Sequence, residues 1–417
     1  MLFLAVLSYR AAHSWFFPPA LFSIYWAMVI GVLAFVRYGG NTLSLDALLV
    51  FFAGCLVFSV GGWVAVLSLG TGGRVWRVEV RRKRFVQLCI IAYSAGLLAL
   101  TPFFANAIYW AGSSLDIENL AVSARTTLGE SDRGGIPRYF LSLTSVGSVL
   151  AYIAAWLYDG SRRDKGILSL AVLAPLAMSV LTFARSPVFA LVAGVLAITV
   201  FRGTIRMKTA LWAVAFGIVL AVTMGVTLGK GPAFEPGVSP VLAVAENVAM
   251  YFLGGPAGFA QVMGAPAAVG EPGLSLRFFT QLAWSLGADI ALPANVTGYY
   301  REGMGNVYTI YFAYWLDGGW WGVVVMSFLA GALCTSVYVF ARRGNPVAGK
   351  AFGLVTGSIL TSTIGDGIFG SSVPWLLFLA VVGLLWSVPT VSIRFSRQTA
   401  SLPGDVTMCN GETEGRS

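Results

Sequence analysis

The chain has 417 residues, of which 57% are hydrophobic and 11% charged, with a mean hydropathy of +0.78. That composition excludes an ordinary soluble domain. The net charge of +9 is spread over short basic clusters between apolar runs, without the single basic stripe and interleaved aromatics that nucleic-acid binding calls for.

Residues 1–7 are apolar but too short to cross a bilayer, and read as an interfacial stub or a truncated helix. Arg10 follows and no small-residue cleavage site precedes Phe16, so no cleaved signal peptide is expected. Runs long enough for the roughly 30 Å hydrocarbon core come next, at 16–36, 45–69, 85–110, 138–158, 167–184, 186–201, 209–228, 319–341, 347–363 and 374–391. They predict an all-α, polytopic integral membrane protein with about ten transmembrane helices. The split near residue 185 rests on Ala184-Arg185-Ser186-Pro187, because proline suits the first turn of a new helix.

Basic residues cluster in alternate connections: Arg74, Arg77 and Arg81 to Arg84 through Lys83; Arg162, Arg163 and Lys165; Arg202, Arg206 and Lys208; Arg342, Arg343 and Lys350. With Arg10, Arg394, Arg397 and Arg416 they predict one cytoplasmic side that carries both chain ends. The resulting organisation is an N-terminal bundle of about seven spans over 1–228, a large outer (periplasmic) loop over 229–318, a three-span bundle over 319–391 and a polar cytoplasmic tail, 392–417, expected to be disordered. Within the outer loop, 243–253 and 274–286 carry the pattern of amphipathic interfacial helices, the second with Leu274, Phe278, Leu282 and Leu286 at a spacing of four. The cytoplasmic connections are too short for a nucleotide-binding domain, and the four cysteines (Cys55, Cys89, Cys334 and Cys409) form no disulfide framework.

Several familiar sites are missing. There is no phosphate-loop motif, no HExxH and no DxD pair, and the lone histidine, His13, falls on the cytoplasmic side. No metal or other cofactor is expected. What the outer side offers instead is arginine and carboxylate, a set suited to phosphate on a lipid carrier, because guanidinium pairs bidentately with phosphate and keeps its charge. Arg185 reads either as a phosphate ligand or as a snorkelling anchor at a helix end. Arg125, Arg277 and Arg301 read as further anion ligands or as headgroup contacts. Glu246, in an apolar segment, and Asp317, beside a span, are candidate bases; an ion pair, or a helix cap at Asp317, is the plainer alternative. Asp366 in Gly365-Asp366-Gly367 reads as a turn residue. The aromatics from Tyr299 to Trp321 read as an interface belt or as stacking surfaces for sugars.

Asn306-Val307-Tyr308-Thr309, then Leu316-Asp317-Gly318-Gly319, Gly322 and Gly331, resembles the Asn-x-Tyr-Thr…Asp-x-Gly-x-x-Gly pattern of bacterial oligosaccharide repeat-unit polymerases, the Wzy-type O-antigen polymerases. Tyr251-Phe252-Leu253-Gly254-Gly255-Pro256 with Phe259, Ala184-Arg185-Ser186-Pro187, and Pro18-Pro19-Ala20-Leu21-Phe22 with Trp26 are similar to further segments of that family. The N-terminal span with which many members begin is reduced here to residues 1–7. The resemblance implies a metal-independent glycosyltransferase of the bacterial inner membrane that joins polyprenyl-pyrophosphate-linked oligosaccharide repeat units at the outer face. Asn306 and Tyr308 then join the arginines as substrate-binding residues, and Glu246 or Asp317 acts as the base. The implied partners are the lipid-linked oligosaccharide, membrane lipid, a chain-length regulator and a flippase, and no nucleic acid. Two alternatives stand beside it: an O-antigen ligase-like enzyme, which would be expected to use an outer-face histidine, and a transporter or flippase of lipid-linked oligosaccharide, for which broken helices and charges within the membrane are expected.

Overall fold

A computed structural model describes residues 1–35, 43–70, 75–78, 82–111, 131–181, 185–227, 240–263, 274–276, 279–280, 283, 286–289, 309–370, 373–386 and 393–396. Long apolar runs free of breakers become helices because a backbone in lipid must satisfy its own polar groups. The helices are α1 (Leu2–Ala12), α2 (Pro18–Phe35), α3 (Leu45–Leu69), α4 (Arg82–Ala111), α5 (Ser131–Leu157), α6 (Arg162–Leu181), α7 (Arg185–Phe201), α8 (Met207–Thr227), α9 (Pro240–Met263), α10 (Ile310–Arg342), α11 (Pro346–Leu360) and α12 (Val373–Trp386). Among the described residues, four helices are long and apolar enough to cross a bilayer: Pro18–Phe35, Leu45–Leu69, Lys83–Thr101 and Ile310–Arg342. Shorter apolar helices pack among them, as in a multi-pass membrane protein.

Local chemistry marks the ends. Ser44 caps α3 by accepting the Ala47 N–H at 3.2 Å, and Asn345 caps α11 by accepting from Val347 and Ala348 at 2.9 and 3.1 Å. At the other termini arginines take over. Arg343 Nη2 donates to the carbonyls of Leu69 and Gly70, both at 2.6 Å, closing α3. Arg342 donates to Ala12 at the end of α1 at 3.3 Å, and Arg202 to Trp156 and Tyr158 at the end of α5. Cations at helix C-termini meet both the unpaired carbonyls and the negative end of the dipole. Some of the clustered basic residues thus have a local task at one end of the bundle.

The strands β1 (Val75–Val78) and β2 (Ile393–Ser396) pair antiparallel, with Val75 opposite Ser396 and Val78 opposite Ile393. The tail, expected to be disordered from residue 392, therefore begins with a paired strand. An isolated polar tail has nothing to bury, whereas Ile393 and Phe395 find register partners in Val78 and Trp76.

Two further expectations are met in part. Residues 310–317, assigned to the outer loop, are the first two turns of α10, and Ile310, Tyr311, Phe312, Tyr314 and Leu316 are buried. Gly318 and Gly319 then leave helical geometry, Gly319 at φ 55°, ψ −135°, so the boundary expected at 319 is a break within a helix. The segment 243–253, expected to lie at the interface, belongs to the 24-residue α9. The later part of α9 is in the core, with Leu253, Ala257 and Phe259 buried and Phe259 packed 5.4 Å from Phe51. For 274–286 the described residues are turns and short helical pieces, with Leu274 buried and Leu286 exposed.

Helix α10 packs along α3 in the most extensive helix contact among the described residues. Glycines permit it. Gly61 lies against the Phe328 carbonyl and Gly331 against the Phe58 carbonyl, positions where a Cβ would collide with backbone. Small residues allow helices this close to gain dispersion energy that lipid cannot supply. Phe58 then stacks on Phe22 at 4.1 Å, and Trp26 lies 4.8 Å from Tyr311, which ties α2 to the pair. Replacing Gly331 by leucine is expected to cost more than the ~1–3 kcal/mol typical of overpacking, because the obstruction is backbone. Gly31, with open space around its Cβ position, is the control. Thermal midpoints of the purified proteins in detergent should fall sharply for Gly331→Leu and stay unchanged or rise slightly for Gly31→Ala; equal midpoints would remove the α3–α10 contact as the organising one.

Candidate functional site

Helix α11 starts at the arginine-capped end and its 15 residues carry the chain roughly 22 Å away at 1.5 Å per residue. There the helix stops, and residues 361–370 run as turns before α12. Non-helical backbone inside a membrane bundle must find partners in protein, and it does. The Ser362 carbonyl accepts the Ile310 N–H at 2.7 Å, which seats the start of α10. Trp26 Nε1 donates to Ser362 Oγ at 3.0 Å, and the Tyr25 hydroxyl bonds Thr363 Oγ1 at 2.6 Å. Gly255 of α9 lies against the Thr363 carbonyl, where any Cβ would collide.

Asp366 holds the far half of this segment. Its Oδ1 accepts from Ile368 and Phe369 at 2.9 and 3.1 Å, and Oδ2 from Gly370 at 2.9 Å. The expected turn is present, and burial is added to it. Burial pushes the Asp366 carboxyl up to about 6, while the three backbone N–H donors work to lower it. Tyr314 lies beside it, its buried hydroxyl short of full hydrogen-bond geometry with any described group. The turn is legible in the sequence and the buried carboxyl is not; its one signal is a charged residue in a Gly-Asp-Gly connection between two apolar runs.

Beside this segment is a cavity of about 220 Å³ between α5, α7, α11 and α12. Ser145, Ser148 and Tyr152 line it from α5, Ser358 and Thr361 from α11 and its end, and Trp375 from α12. Gly367 joins the lining, so the cavity adjoins the Asp366 turn directly.

The expected site residues fall into three groups. Arg185 is the first residue of α7, two positions before Pro187, which lines the cavity; its side chain lies outside the described ones. Glu246 lies in the first half of α9, also with its side chain outside the described ones. The two helices touch through Phe189 and Phe252, 5.7 Å between ring centroids, about one turn from Arg185 and under two turns from Glu246. Asp317, at the α10 break, accepts the Leu274 and Ser275 N–H groups at 2.9 and 2.7 Å. It anchors part of the 229–318 segment to the helix break. Arg125, Arg277, Arg301, Asn306 and Tyr308 lie outside the described residues. Thr309, next to the last of these, is the N-cap residue of α10. Of the aromatics, Tyr311 and Tyr314 are core residues, whereas Trp321 is exposed. Among the described residues no group of histidine, cysteine and carboxylate side chains is spaced to hold a metal ion.

Comparison with protein-family models, curated proteins and solved structures returns no match. The fold and site define a multi-pass helical membrane protein with a largely apolar, hydroxyl-bearing cavity at the end of the bundle away from its arginine caps.

The Asp317 geometry separates anchoring from base chemistry. Removing a charged acceptor leaves two N–H groups without it, worth roughly 1–3 kcal/mol locally. Hydrogen exchange at residues 274–276 should accelerate about tenfold or more in Asp317→Ala, and by less in Asp317→Asn, which keeps one acceptor oxygen. Unchanged exchange in both variants would show that the carboxylate does not hold this segment.

Proposed function

We propose that the chain is a polysaccharide polymerase of the bacterial inner membrane, a metal-independent glycosyltransferase that joins polyprenyl-pyrophosphate-linked repeat units at the outer face. One observation carries the reading: segments that resemble the polymerase family, far apart in sequence, converge on residues 361–370. Tyr25 and Trp26 reach it from α2, Gly255 from α9 and Ile310 from α10. The same segment adjoins the cavity whose rim includes Pro187. The proposed topology has about ten spans, both ends in the cytoplasm and 229–318 outside, in line with the basic clusters.

In the proposed reaction a sugar hydroxyl of one lipid-linked unit attacks the anomeric carbon of another, the bond from that carbon to the pyrophosphate oxygen breaks, and the hydroxyl proton passes to a carboxylate. Glu246 is the stronger candidate for the base, since the hydrogen bonds at Asp317 support a positioning role. Arg185, with Arg125, Arg277 and Arg301, would stabilise the charge on the departing pyrophosphate. At Arg185 the positive end of the α7 dipole adds to the guanidinium. Asn306 and Tyr308 would bind the sugar, and a chain-length regulator and a flippase remain the proposed partners.

A second reading, transport of the lipid-linked oligosaccharide, gains support from the break at Gly318 and Gly319 and from the buried carboxyl of Asp366. Purified chain in proteoliposomes with lipid-linked repeat units distinguishes them. Polymerisation predicts a ladder of chain lengths that survives EDTA; relocation of label across the bilayer without a ladder would overturn it in favour of transport. Arg185→Lys keeps the charge but loses the planar fork, so its ladder should shorten, and Arg185→Ala should be weaker still. A full ladder from Arg185→Ala at normal abundance would leave it a helix anchor.

A further inference from the structure

Of the side-chain donors that line the cavity, which include Ser145 and Ser148, four are committed to backbone carbonyls. The Tyr152 hydroxyl donates to the Ala190 carbonyl at 2.9 Å, Ser358 to Gly367 at 2.9 Å, and Thr361 to Gly357 at 2.9 Å. The Trp375 indole N–H points to the same Gly367 carbonyl at 3.3 Å. Four side-chain donors around one cavity are therefore spent on backbone carbonyls. What the three hydroxyls have left to offer is lone pairs, since each carries one proton and two acceptor sites.

Each helix start at the cavity also lacks one of its donors. Two helices begin at the cavity, α7 and α12, and a free helix N-terminus ordinarily presents N–H groups that attract anions. Both bring a proline to the lining in the first turn, Pro187 and Pro374, and proline has no N–H. Among the described residues no lysine, arginine, aspartate or glutamate lines the cavity. A phosphate oxygen placed inside would lose water and gain few donors, a cost of several kcal/mol for a neutral polar group and more for a charge. A hydrocarbon chain would leave the lone pairs of three hydroxyls unused. A neutral ring bearing several hydroxyls satisfies both constraints: its O–H groups donate to Tyr152, Ser358 and Thr361, and its C–H face lies on Trp375.

We propose that this cavity is a subsite for a neutral, hydroxyl-bearing sugar ring and that it excludes phosphate. On the glycosyl-transfer reading, from which the sugar identity comes, the uncharged part of the substrate sits here. The pyrophosphate stays outside, toward the first residues of α7.

The test uses the full chain in nanodiscs and a panel of methyl glycosides of glucose, galactose, N-acetylglucosamine and N-acetylgalactosamine. Saturation-transfer NMR should detect at least one glycoside, and inorganic pyrophosphate should not displace it. Ala190→Phe, which adds bulk at the lining, should abolish that signal. Tyr152→Phe, which keeps the ring and removes the lone pairs, should weaken binding roughly tenfold, the scale of one buried hydrogen bond. Displacement by pyrophosphate, or glycoside binding unchanged in both variants, would overturn the proposal, as would no binding by any member of the panel. Glycoside binding that follows these expectations while lipid-linked units are moved without polymerising would sink the polymerase reading and leave the subsite standing.

Discussion

Ten consecutive residues that run as turns, partly buried among apolar helices, set the conditions for the rest of this molecule. The segment 361–370 packs among apolar helices, so its polar groups take partners in protein, some from other helices and some from within the segment. Tyr25 and Trp26 supply side chains, Ile310 supplies a backbone N–H, and Asp366 gathers three N–H groups on one carboxylate. The consequence is that α2, α10 and α11 are fixed relative to one another by hydrogen bonds, while α9 is fixed by the absence of a side chain at Gly255. Buried polar networks of this kind are costly when incomplete and specific when satisfied.

Helix pairing sets where the segment sits. The reciprocal glycine contacts of α3 and α10 bring backbone against backbone, and the break at Gly318 and Gly319 lets the first turns of α10 leave the line of the rest. Those first turns carry Tyr311 into the aromatic cluster with Phe22, Trp26 and Phe51. Asp317 sits at the break and ties it to Leu274 and Ser275. Leu274 and Ser275 are thereby linked to the start of α10, and through the Ser362 carbonyl to the turn that adjoins the cavity.

Much of the helix content was legible in the residues. The span expected at 45–69 coincides with Leu45–Leu69 because Ser44 and Gly70 mark both ends. Pro187 likewise identified the start of α7 to within a residue. The errors share one physical origin. Residues 310–317 are aromatic and precede a glycine pair, a pattern that reads as an interfacial loop unless tertiary contacts bury it. The segment 243–253 reads as an amphipathic helix of its own, since the glycines and Pro256 that follow it hide a packing face that only α2, α3 and the 361–370 segment complete. The candidate site was less legible. Arg185, Glu246 and Asp317 could be named from their settings, and α7 and α9 do meet. The cavity depends on where hydroxyl protons point and on which helices converge, and neither is written in local sequence. Asp366 shows the limit clearly: its turn follows from Gly-Asp-Gly, while its burial follows from helices far away in the chain.

On the proposed function, the 361–370 segment builds the place where the sugar of a lipid-linked substrate is held. Electron cryomicroscopy of the chain in nanodiscs with a non-hydrolysable polyprenyl-phosphonate analogue of the repeat unit tests it directly. Sugar density between Tyr152, Ser358 and Trp375, with the phosphonate at the first turn of α7, is the expected result. Sugar density against the 229–318 segment, with an acyl chain filling the cavity, would contradict it.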